Sequence, residues 1–443
     1  MNNALARNFS FRSLLVFAFP TIIMMLFMSL YTMVDGVFVS RFVGTDALSA
    51  VNIVFPVISI VVAVGVMLAT GGSAVIAKKM GEGKADEARE NFSLIVLSGI
   101  IIGLVIEVLG LVFIHPMLRL LGANDAVYSL CYEYAFALLF FVPAGVLQML
   151  FQTFFVTAGK PALGLIVTII GGIANIVLDY VFIVPMQMGI MGAAVATGIG
   201  YSIPAVYGLL YFAINKKGTL YFTRPRFNGK VLLHTCSNGS SEMVTNLSTA
   251  VTTLLFNVLM MKYLGADGVA AITIVLYGQY LLTAVYLGYS IGVAPIFSYK
   301  HGRKDFGQIK LLFRNSAIFV LACSVLSFAA AFWYAGPIVK VFAPADNPVY
   351  TLAVHGFHLF AVSYLFTGTN IFASALFTAF SNGKVSAALS FLRTFVFIVA
   401  ALLLLPIVIG VNGIWLAIPL AEFLGIAVSV VFLAKHRKTY GYL

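Results

Sequence analysis

Stretches of 20 or more predominantly apolar residues recur along this chain of 443 residues, and they constrain the fold more than any other feature. An α-helix rises 1.5 Å per residue, so about 20 apolar residues cross the hydrocarbon core of a bilayer. The strands of a membrane β-barrel would alternate apolar and polar residues, and these stretches do not. The sequence therefore predicts an all-α integral membrane protein with about twelve spans, at 13–40, 47–77, 91–114, 126–158, 161–184, 190–214, 236–262, 267–299, 312–335, 347–380, 385–409 and 412–434.

The positions of the basic residues predict how the chain is oriented in the membrane. The net charge of +11 invites a nucleic-acid partner, but 21 of the 26 lysines and arginines fall in loops on the side of the N-terminus. The other side holds Arg41, Arg119, Lys262 and Lys340, and Arg393 lies within a span. This asymmetry is the positive-inside bias. It predicts a plasma-membrane protein with both termini in the cytoplasm, and it explains the charge without nucleic acid.

The second half of the chain repeats the first half at one constant shift in numbering, close to half the length of the chain. The segment VGTDALSA at 43–50 matches LGADGVAA at 264–271, and GIMGAAVA at 189–196 matches GVNGIWLA at 410–417. We call the shift that pairs position 43 with position 264 the repeat shift. Similarity at a fixed shift over this length indicates a true internal repeat.

Six spans return the chain to its starting side, so both copies of the repeat keep the same orientation. We therefore predict two six-helix lobes around a central cleft, related by an axis along the membrane normal. The N-terminal lobe covers residues 1–215 and the C-terminal lobe residues 232–443. Residues 216–231, which are basic and rich in turn formers, form a cytoplasmic linker. A substrate would bind in the cleft, which would open to each side in turn.

Two aspartates, Asp35 and Asp179, lie inside apolar spans. An acid near the middle of a bilayer costs about 2.5–3.5 kcal/mol on insertion scales, so an intramembrane carboxylate marks a functional site by default. Both aspartates lie about 9 Å from the outer ends of their helices at 1.5 Å per residue. Thr197, Tyr134 and Asn175 lie at about 10, 12 and 15 Å by the same measure. Four helices of one lobe thus bring these side chains to the same level of the outer leaflet.

Two kinds of cation fit this group of residues. Two carboxylates in a pocket of low dielectric constant do not both stay ionised, so they would share a proton and titrate as a pair. Alternatively, the carboxylates with the Asn175 and Thr197 oxygens give the oxygen-rich shell that Na⁺ prefers. Polar residues also hold membrane helices together, so Asn175 and Thr197 are open to that simpler interpretation. The counterparts of the aspartates at the repeat shift are Phe256 and Ala400, which predicts a cation site in the N-terminal half only.

The remaining intramembrane polar residues are weaker candidates. Arg393 and Glu422 lie at depths that a long arginine side chain can bridge, and we predict a structural ion pair between them. Glu242, near the inner end of the seventh span, faces either the cytoplasm or the cleft. Asn370, in a TGTN stretch, is a candidate amide in the cleft. Three cysteines without CxxC spacing indicate neither disulfides nor a metal site, so no cofactor is expected beyond the coupling ion.

Four segments and the six-plus-six repeat together carry a family resemblance. The segments are FPTIIMMLFMSLYTMVDGVFVSRFVGTDALSA in the first span, ANIVLDYVFI in the fifth, GAAVAT in the sixth and GIWLAIPLAE in the last. With them the chain resembles, over nearly its whole length, the multidrug and toxic compound extrusion (MATE) transporters, in the bacterial branch of MepA-like and DinF-like proteins.

The resemblance implies roles for particular residues. In that family the positions of Asp35 and Asp179 form a cation site, which the positions of Asn175 and Thr197 complete with Tyr134 close by. Binding of H⁺ or Na⁺ there would bend the first helix and drive exchange for a bulky, often cationic compound. Some members use acids in the seventh and tenth spans. Here the tenth-span position is an asparagine and the seventh-span glutamate does not align cleanly, which favours the N-terminal site.

The favoured function is a secondary antiporter that works as a monomer and exports lipophilic or cationic small molecules in exchange for H⁺ or Na⁺. The alternative is a flippase for a lipid-linked precursor, which would need a hydrophilic and often cationic cleft, whereas Arg393 is the only basic residue within a span. A membrane enzyme would need clustered acids of the DDxxD kind or a histidine-rich motif, and the sequence has neither. It also lacks a P-loop.

Overall fold

The chain folds into α-helices joined by short turns in the computed structural model, which describes residues 3–442 and leaves the side chains at positions 36, 37, 40 and 45 undescribed. No β-strand occurs among residues 3–442. Many large apolar side chains point outward, among them Leu104, Val108 and Val112 on the third span. This pattern suits a bilayer, where each helix satisfies its own backbone hydrogen bonds and exposes apolar side chains to lipid.

The N-terminal lobe contains six spans, which follow a short 3₁₀ turn at Ala4–Ala6. In chain order its helices are the first span Phe11–Phe38 with a π-helical turn at Val39–Val43, the second span Thr45–Gly81, the third span Ala85–Val112, the short helix Ile114–Leu120, the fourth span in two parts at Tyr128–Leu139 and Val142–Thr157, the fifth span Pro161–Ile183 and the sixth span Gly189–Ile214.

The C-terminal lobe begins with one very long helix, Gly229–Gly302. It is followed by the ninth span Phe306–Trp333, the short helix Ala335–Lys340, the tenth span in two parts at Pro348–Ala361 and Tyr364–Ala379, the eleventh span at Gly383–Phe391 and Phe397–Ile409 around a π-helical turn Leu392–Val396, the short helix Val411–Trp415 and the twelfth span Ala417–Tyr440.

The number of spans agrees with the prediction once the long helix is divided. Among the described residues, nine helices are long and apolar enough to cross a membrane, or eleven if each bent pair is one span. The helix Gly229–Gly302 has 74 residues, which at 1.5 Å per residue is far longer than one bilayer crossing. It is interrupted at Gly265, whose φ of 67° and ψ of −153° are not helical. Its parts, 229–264 and 266–302, are therefore the seventh and eighth spans, and the total is twelve.

The fourth and tenth spans are bent, whereas the sequence predicted two uninterrupted apolar stretches, 126–158 and 347–380. Their halves meet at 54° and 55°. Pro143 stands at the start of the second half of the fourth span, but Tyr364 takes that place in the tenth. Because the two bends are nearly equal and correspond in the repeat, they belong to the repeated architecture rather than to a local proline.

Glycines with left-handed backbone conformations mark the same positions in both halves. Gly44 and its counterpart at the repeat shift, Gly265, have φ of 125° and 67°. Gly189 and its counterpart Gly410 have φ of 58° and 61°. Only glycine adopts such angles without a steric penalty on Cβ. The repeat seen in the sequence is therefore a repeat of backbone conformation at the turns before the second, sixth, eighth and twelfth spans.

Both ends of the described chain lie on one side of the molecule, which we call the terminal side. The Lys300 Nζ atom lies 3.2 Å from the carbonyl oxygen of Ala6. The neighbouring His301 ring lies 5.5 Å from the ring of Tyr440. The eighth span therefore ends beside both the first and the last residues of the described chain.

The two lobes make their closest backbone contacts toward the terminal side. A Cβ atom on Gly81 would lie 2.0 Å from the carbonyl oxygen of Tyr299, and one on Gly302 would lie 2.2 Å from that of Lys78. Lys78 and Tyr299 are themselves counterparts at the repeat shift, so the two contacts are equivalent under the repeat. No larger residue fits at either glycine without separating the second and eighth spans.

The buried apolar core is shared at the terminal side and divided at the other. One cluster contains residues of both lobes, such as Leu68 and Phe297. A second cluster, around Val54 and Ile190, belongs to the N-terminal lobe alone. A third, around Trp415, belongs to the C-terminal lobe alone. The lobes are thus packed into one body on the terminal side and keep separate cores toward the opposite side.

Candidate functional site

Asp35 and Asp179 meet inside the N-terminal lobe. Asp35 lies in the last turn of the first span and Asp179 in the last two turns of the fifth. Their carboxyl groups lie within hydrogen-bonding reach of each other, and the Asp179 side chain is fully buried. Two ionised carboxylates offer no hydrogen-bond donor. The pair is therefore stable at this distance only when it shares a proton or another cation.

The oxygen atoms around the pair have no protein donor. Asp35 Oδ1, both carboxylate oxygens of Asp179 and Asn175 Oδ1 are buried without a hydrogen-bond partner. Buried polar atoms are nearly always paired in proteins, so a group of four unpaired oxygens is exceptional. All four oxygens are hydrogen-bond acceptors. They can therefore bind a proton, held on one of the carboxylates, or a hard cation that prefers oxygen ligands.

Asn175 and Thr197 extend this group. Asn175 lies one helical turn before Asp179 and is 3% exposed. Its Nδ2 donates to Thr197 Oγ1 of the sixth span at 3.5 Å, the outer limit of a hydrogen bond. This contact turns the amide nitrogen away and leaves Asn175 Oδ1 as the atom without a partner. The orientation suits an amide that offers its oxygen to a cation.

Glycines on the fifth and sixth spans allow the helices to approach. A Cβ atom on Gly171 would lie 2.8 Å from the carbonyl oxygen of Gly200, and one on Gly200 would lie 3.0 Å from the Cβ atom of Asn175. A Cβ on Gly172 would lie 2.5 Å from the Phe27 ring on the first span. The small residues therefore bring the first, fifth and sixth spans close enough for their polar side chains to meet.

Tyrosines surround the aspartates. Tyr134, which the sequence predicted, interacts electrostatically with both carboxyl groups. The sequence analysis missed Tyr31 and Tyr201, which also interact with Asp35. A signal for them existed, because Tyr31 precedes Asp35 by four residues and Tyr201 follows Thr197 by four, which places each pair on one helix face.

Tyr280 brings an aromatic ring of the C-terminal lobe to this region. Tyr280 of the eighth span interacts with both Tyr31 and Tyr201. Tyr31 and Tyr201 therefore interact both with Asp35 and with a residue of the opposite lobe.

A polar cavity and an apolar cavity adjoin the site. Tyr31, Gln148, Thr168, Asn175, Thr197 and Tyr201 line the polar cavity, with three glycines. The apolar cavity lies between the second, fourth and sixth spans and is lined by valines, leucines and Met149. Tyr201 lines both cavities. One residue therefore separates the polar atoms near the acids from an apolar recess.

Arg393, Glu422 and Asn370 form a second buried polar group, in the C-terminal lobe. Arg393 Nη1 lies 2.8 Å from Glu422 Oε1. Asn370 Nδ2 donates to Glu422 Oε2 at 2.7 Å, and Asn370 Oδ1 accepts from Ser429 at 2.9 Å. The predicted partners Arg393 and Glu422 are thus in contact. Asn370, considered above as a cleft residue, is 1% exposed and engaged through both ends of its amide.

Glu242 lies at the lobe interface, apart from both groups. Its carboxylate accepts a hydrogen bond from Ser241 and interacts with Thr70 of the second span and Thr378 of the tenth. One helical turn before it, a Cβ on Gly239 would lie 1.9 Å from the carbonyl oxygen of Met67. Glu242 therefore lies where the seventh span crosses the second, in the terminal half of the molecule.

This fold and site define a class of protein: a membrane transporter of two repeated six-helix lobes with an acid pair inside one of them. The family model described as MatE matches the chain twice, over residues 20–181 and 243–403, once in each lobe. The chain belongs to the MatE family.

Relatives of known name or structure cover the chain from end to end. Multidrug export protein MepA of Staphylococcus aureus (strain bovine RF122 / ET3-1) is 21% identical over 434 residues, which are 97% of this chain and 95% of the relative. A multidrug resistance MATE family transporter of the MOP superfamily, solved in an outward-facing conformation, matches with a TM-score of 0.93 at 20% identity, over 100% of this chain and 99% of the other. A MOP superfamily transporter from Pyrococcus furiosus, described as having a binding pocket of reverse polarity that suggests a different function, matches at 0.92 and 20% identity over 99% of both chains.

Proposed function

We propose that this protein is a secondary antiporter that exports lipophilic, often cationic small molecules from the cytoplasm in exchange for a proton or a sodium ion. The observation that carries the proposal is the acid pair of Asp35 and Asp179, with four buried oxygen atoms that have no protein donor. A bound cation is the simplest partner for them. The protein's place in a transporter family supports a role for that cation as the coupling ion.

The exchange follows from the position of the pair. Asp35 stands on the first span, which also contacts the C-terminal lobe: a Cβ on Gly288 would lie 2.5 Å from the Cα atom of Ile22. Binding a cation cancels the repulsion between the two carboxylates and lets the first and fifth spans stay together. Releasing it restores the repulsion and displaces the first span. The state of the pair is thereby passed to the lobe that the first span touches.

The substrate class follows from the cavities. The apolar recess would form one wall for a lipophilic body, and its methionine adapts to varied shapes. Tyr201, at the boundary with the polar cavity, offers a ring face to a cationic group. A lipophilic cation would thus bind beside the acids and compete with the coupling ion for their negative charge.

The orientation and location are part of the proposal. The positive-inside bias assigns the terminal side to the cytoplasm, and the protein then resides in the plasma membrane with both termini inside. The shared core on the terminal side and the divided core on the other correspond to a conformation closed to the cytoplasm. Twelve spans in one chain form the whole transport unit, so we expect a functional monomer.

The rival flippase would bind an anionic, phosphorylated head group through basic side chains in the cleft. Arg393, the basic residue that the sequence places within a span, is bound to Glu422 and is 8% exposed. It is not available to a head group without breaking that ion pair. The shared fold does not distinguish an antiporter from a flippase, because the relative from Pyrococcus furiosus has the same fold but is described as differing in the polarity of its pocket.

The test is transport of ethidium by reconstituted vesicles, under a pH gradient and a sodium gradient imposed separately. We expect one of the two gradients to drive transport by the native protein. Asp35→Asn and Asp179→Asn each lower the driven rate by at least about tenfold, because an amide removes the charge that balances the cation. Asp46→Asn, at an exposed acid at the start of the second span, leaves the rate unchanged.

Two results would contradict the proposal. If both aspartate variants keep the full driven rate, the pair is structural and another acid couples transport. If the native protein moves no ethidium under either gradient but moves a fluorescent lipid-linked phosphate between leaflets, the chain is a flippase.

A further inference from the structure

The residues before the first span form a segment that is packed against both lobes. Leu5 and Phe9 are 0% and 1% exposed, and both belong to the core cluster that the lobes share. Asn3 fixes the turn Ala4–Ala6 by accepting a hydrogen bond from the backbone nitrogen of Leu5 at 3.0 Å. Residues 3–9 are therefore an integral part of the folded structure. We call them the N-terminal strap.

The strap contacts the N-terminal lobe at its terminal side. A Cβ atom on Gly159, in the turn after the fourth span, would lie 2.6 Å from the Cβ atom of Ala4. The Arg7 guanidinium lies 4.7 Å from the centroid of the Phe9 ring and 5.7 Å from that of the Phe17 ring. Phe9 belongs to the strap itself, whereas Gly159 and Phe17 belong to the lobe to which the strap is joined through the first span.

The strap contacts the C-terminal lobe through two hydrogen bonds. The backbone nitrogen of Phe9 donates to Gln308 Oε1 of the ninth span at 3.0 Å. Lys300 Nζ at the end of the eighth span donates to the Ala6 carbonyl oxygen at 3.2 Å. Lys300 is fully buried, and its second partner is Asp305 at 3.2 Å. A buried charge is stable only when it is paired, so the strap completes the surroundings of this lysine.

The repeat does not require this arrangement. The counterparts of residues 3–9 at the repeat shift are residues 224–230, and all of these are exposed. In the first half of the repeat this segment is partly buried and makes non-covalent contacts with both lobes. In the second half the corresponding segment is part of the exposed linker.

We propose that the N-terminal strap is a latch that stabilises the conformation closed on the terminal side and is released when the lobes separate there. The inference rests on the proposed function in one respect, because a latch has a role only if the lobes move. Opening breaks the Phe9–Gln308 and Lys300–Ala6 hydrogen bonds, which cross between lobes. The Lys300–Asp305 pair stays within one lobe, so the lysine keeps a counter-charge and gains water in place of the carbonyl.

The experiment measures the distance between two spin labels across the terminal side in the purified full-length protein. The labels are placed at Ala85→Cys on the third span and Arg314→Cys on the ninth, both exposed positions, after Cys131, Cys236 and Cys323 are replaced. We expect one short distance in the protein with an intact strap. Phe9→Ala, Gln308→Ala and deletion of residues 2–9 each increase the ratio of long to short distances, by about tenfold or more for Phe9→Ala because it removes a large apolar side chain from the shared core.

Lys310→Met, at an exposed lysine one residue from the buried Ile309, is the matched control and keeps the original distances. The two point variants keep the test valid if the deletion variant does not fold. Elution from size-exclusion chromatography as a single monodisperse species is the criterion that each variant is folded. If the folded variants all keep the short distance, the strap is not a latch. If the distances shift but no variant and no native protein transports ethidium, the latch stands and the proposed substrate class falls.

Discussion

Asp179 and Glu422 are both buried acids, but their partners differ. Glu422 receives hydrogen bonds from Arg393 and Asn370, so its charge is compensated inside the protein. Asp179 has only the neighbouring carboxyl group of Asp35 and no donor on either of its oxygens. The same chemical group is thus structural in one lobe and, in our account, a cation ligand in the other. The sequence predicted both cases from depth, because an acid with a basic residue at its level can be paired and one without cannot.

Loss of either partner of the Arg393–Glu422 ion pair is expected to destabilise the protein. Arg393→Met and Glu422→Gln each remove one partner of a buried pair, which typically lowers stability by about 3–5 kcal/mol. We expect each to lower the midpoint of thermal unfolding in detergent. The double variant loses less than the sum of the two, because no charge is left unpaired. Single variants as stable as the native protein would show that Arg393 and Glu422 do not stabilise each other.

Asn175 is expected to support the bound cation, because its Oδ1 atom is buried beside the pair without a donor. Asn175→Ala removes this oxygen, and we expect the concentration of the coupling cation needed for half-maximal transport to rise about 10–100-fold, as for other residues that support a bound ion. Asn52→Ala, at an exposed amide on the second span, is the control. An unchanged half-maximal concentration in Asn175→Ala would mean that Asn175 only joins the fifth and sixth spans.

At the scale of the helix, the sequence predicted the twelve spans but not how two of them bend. An apolar stretch such as 126–158 looks uniform, because the residues on both sides of a bend face the same hydrocarbon. The break between Leu139 and Val142 depends on packing against other helices, which a single sequence does not display. Tyr31 and Tyr201 were not predicted as site residues for a related reason. Tyrosine is common at the ends of membrane helices, so it stands out only when the helix that it faces is known.

Glycines allow the second and seventh spans to cross closely, and a larger residue there is expected to impair transport. A Cβ on Gly71 would lie 2.0 Å from the carbonyl oxygen of Thr235, so Gly71→Val separates the two helices. We expect a loss of the closed state on the terminal side and a driven ethidium rate at least about tenfold lower, because packed helices do not tolerate such an overlap. Gly229→Ala, whose Cβ would have no atom nearer than 4.0 Å, is the control. Normal transport by Gly71→Val would show that this contact is not needed for the cycle.

At the scale of the molecule, the lobes share a core on one side and have separate cores on the other. A body of this kind opens by moving two preformed units against each other, since each lobe retains a core when the shared contacts part. The acid pair lies in one unit, and the N-terminal strap contacts both units where they close. The repeat and the two lobes were predictable from the constant shift between matching segments. The side on which the lobes meet could not be predicted, because the repeat is equally compatible with closure on the terminal side and with closure on the opposite side.

Asp35 and Asp179 together hold the coupling cation in the proposed mechanism, and this is tested by counting that cation on the purified protein. Radioactive sodium binding and proton release on titration are measured for the native protein, for the variant with both Asp35→Asn and Asp179→Asn, and for Asp46→Asn. We expect the native protein and Asp46→Asn to bind one sodium ion, or to release one proton, more than the double variant. Equal binding and release by all three proteins would contradict the account.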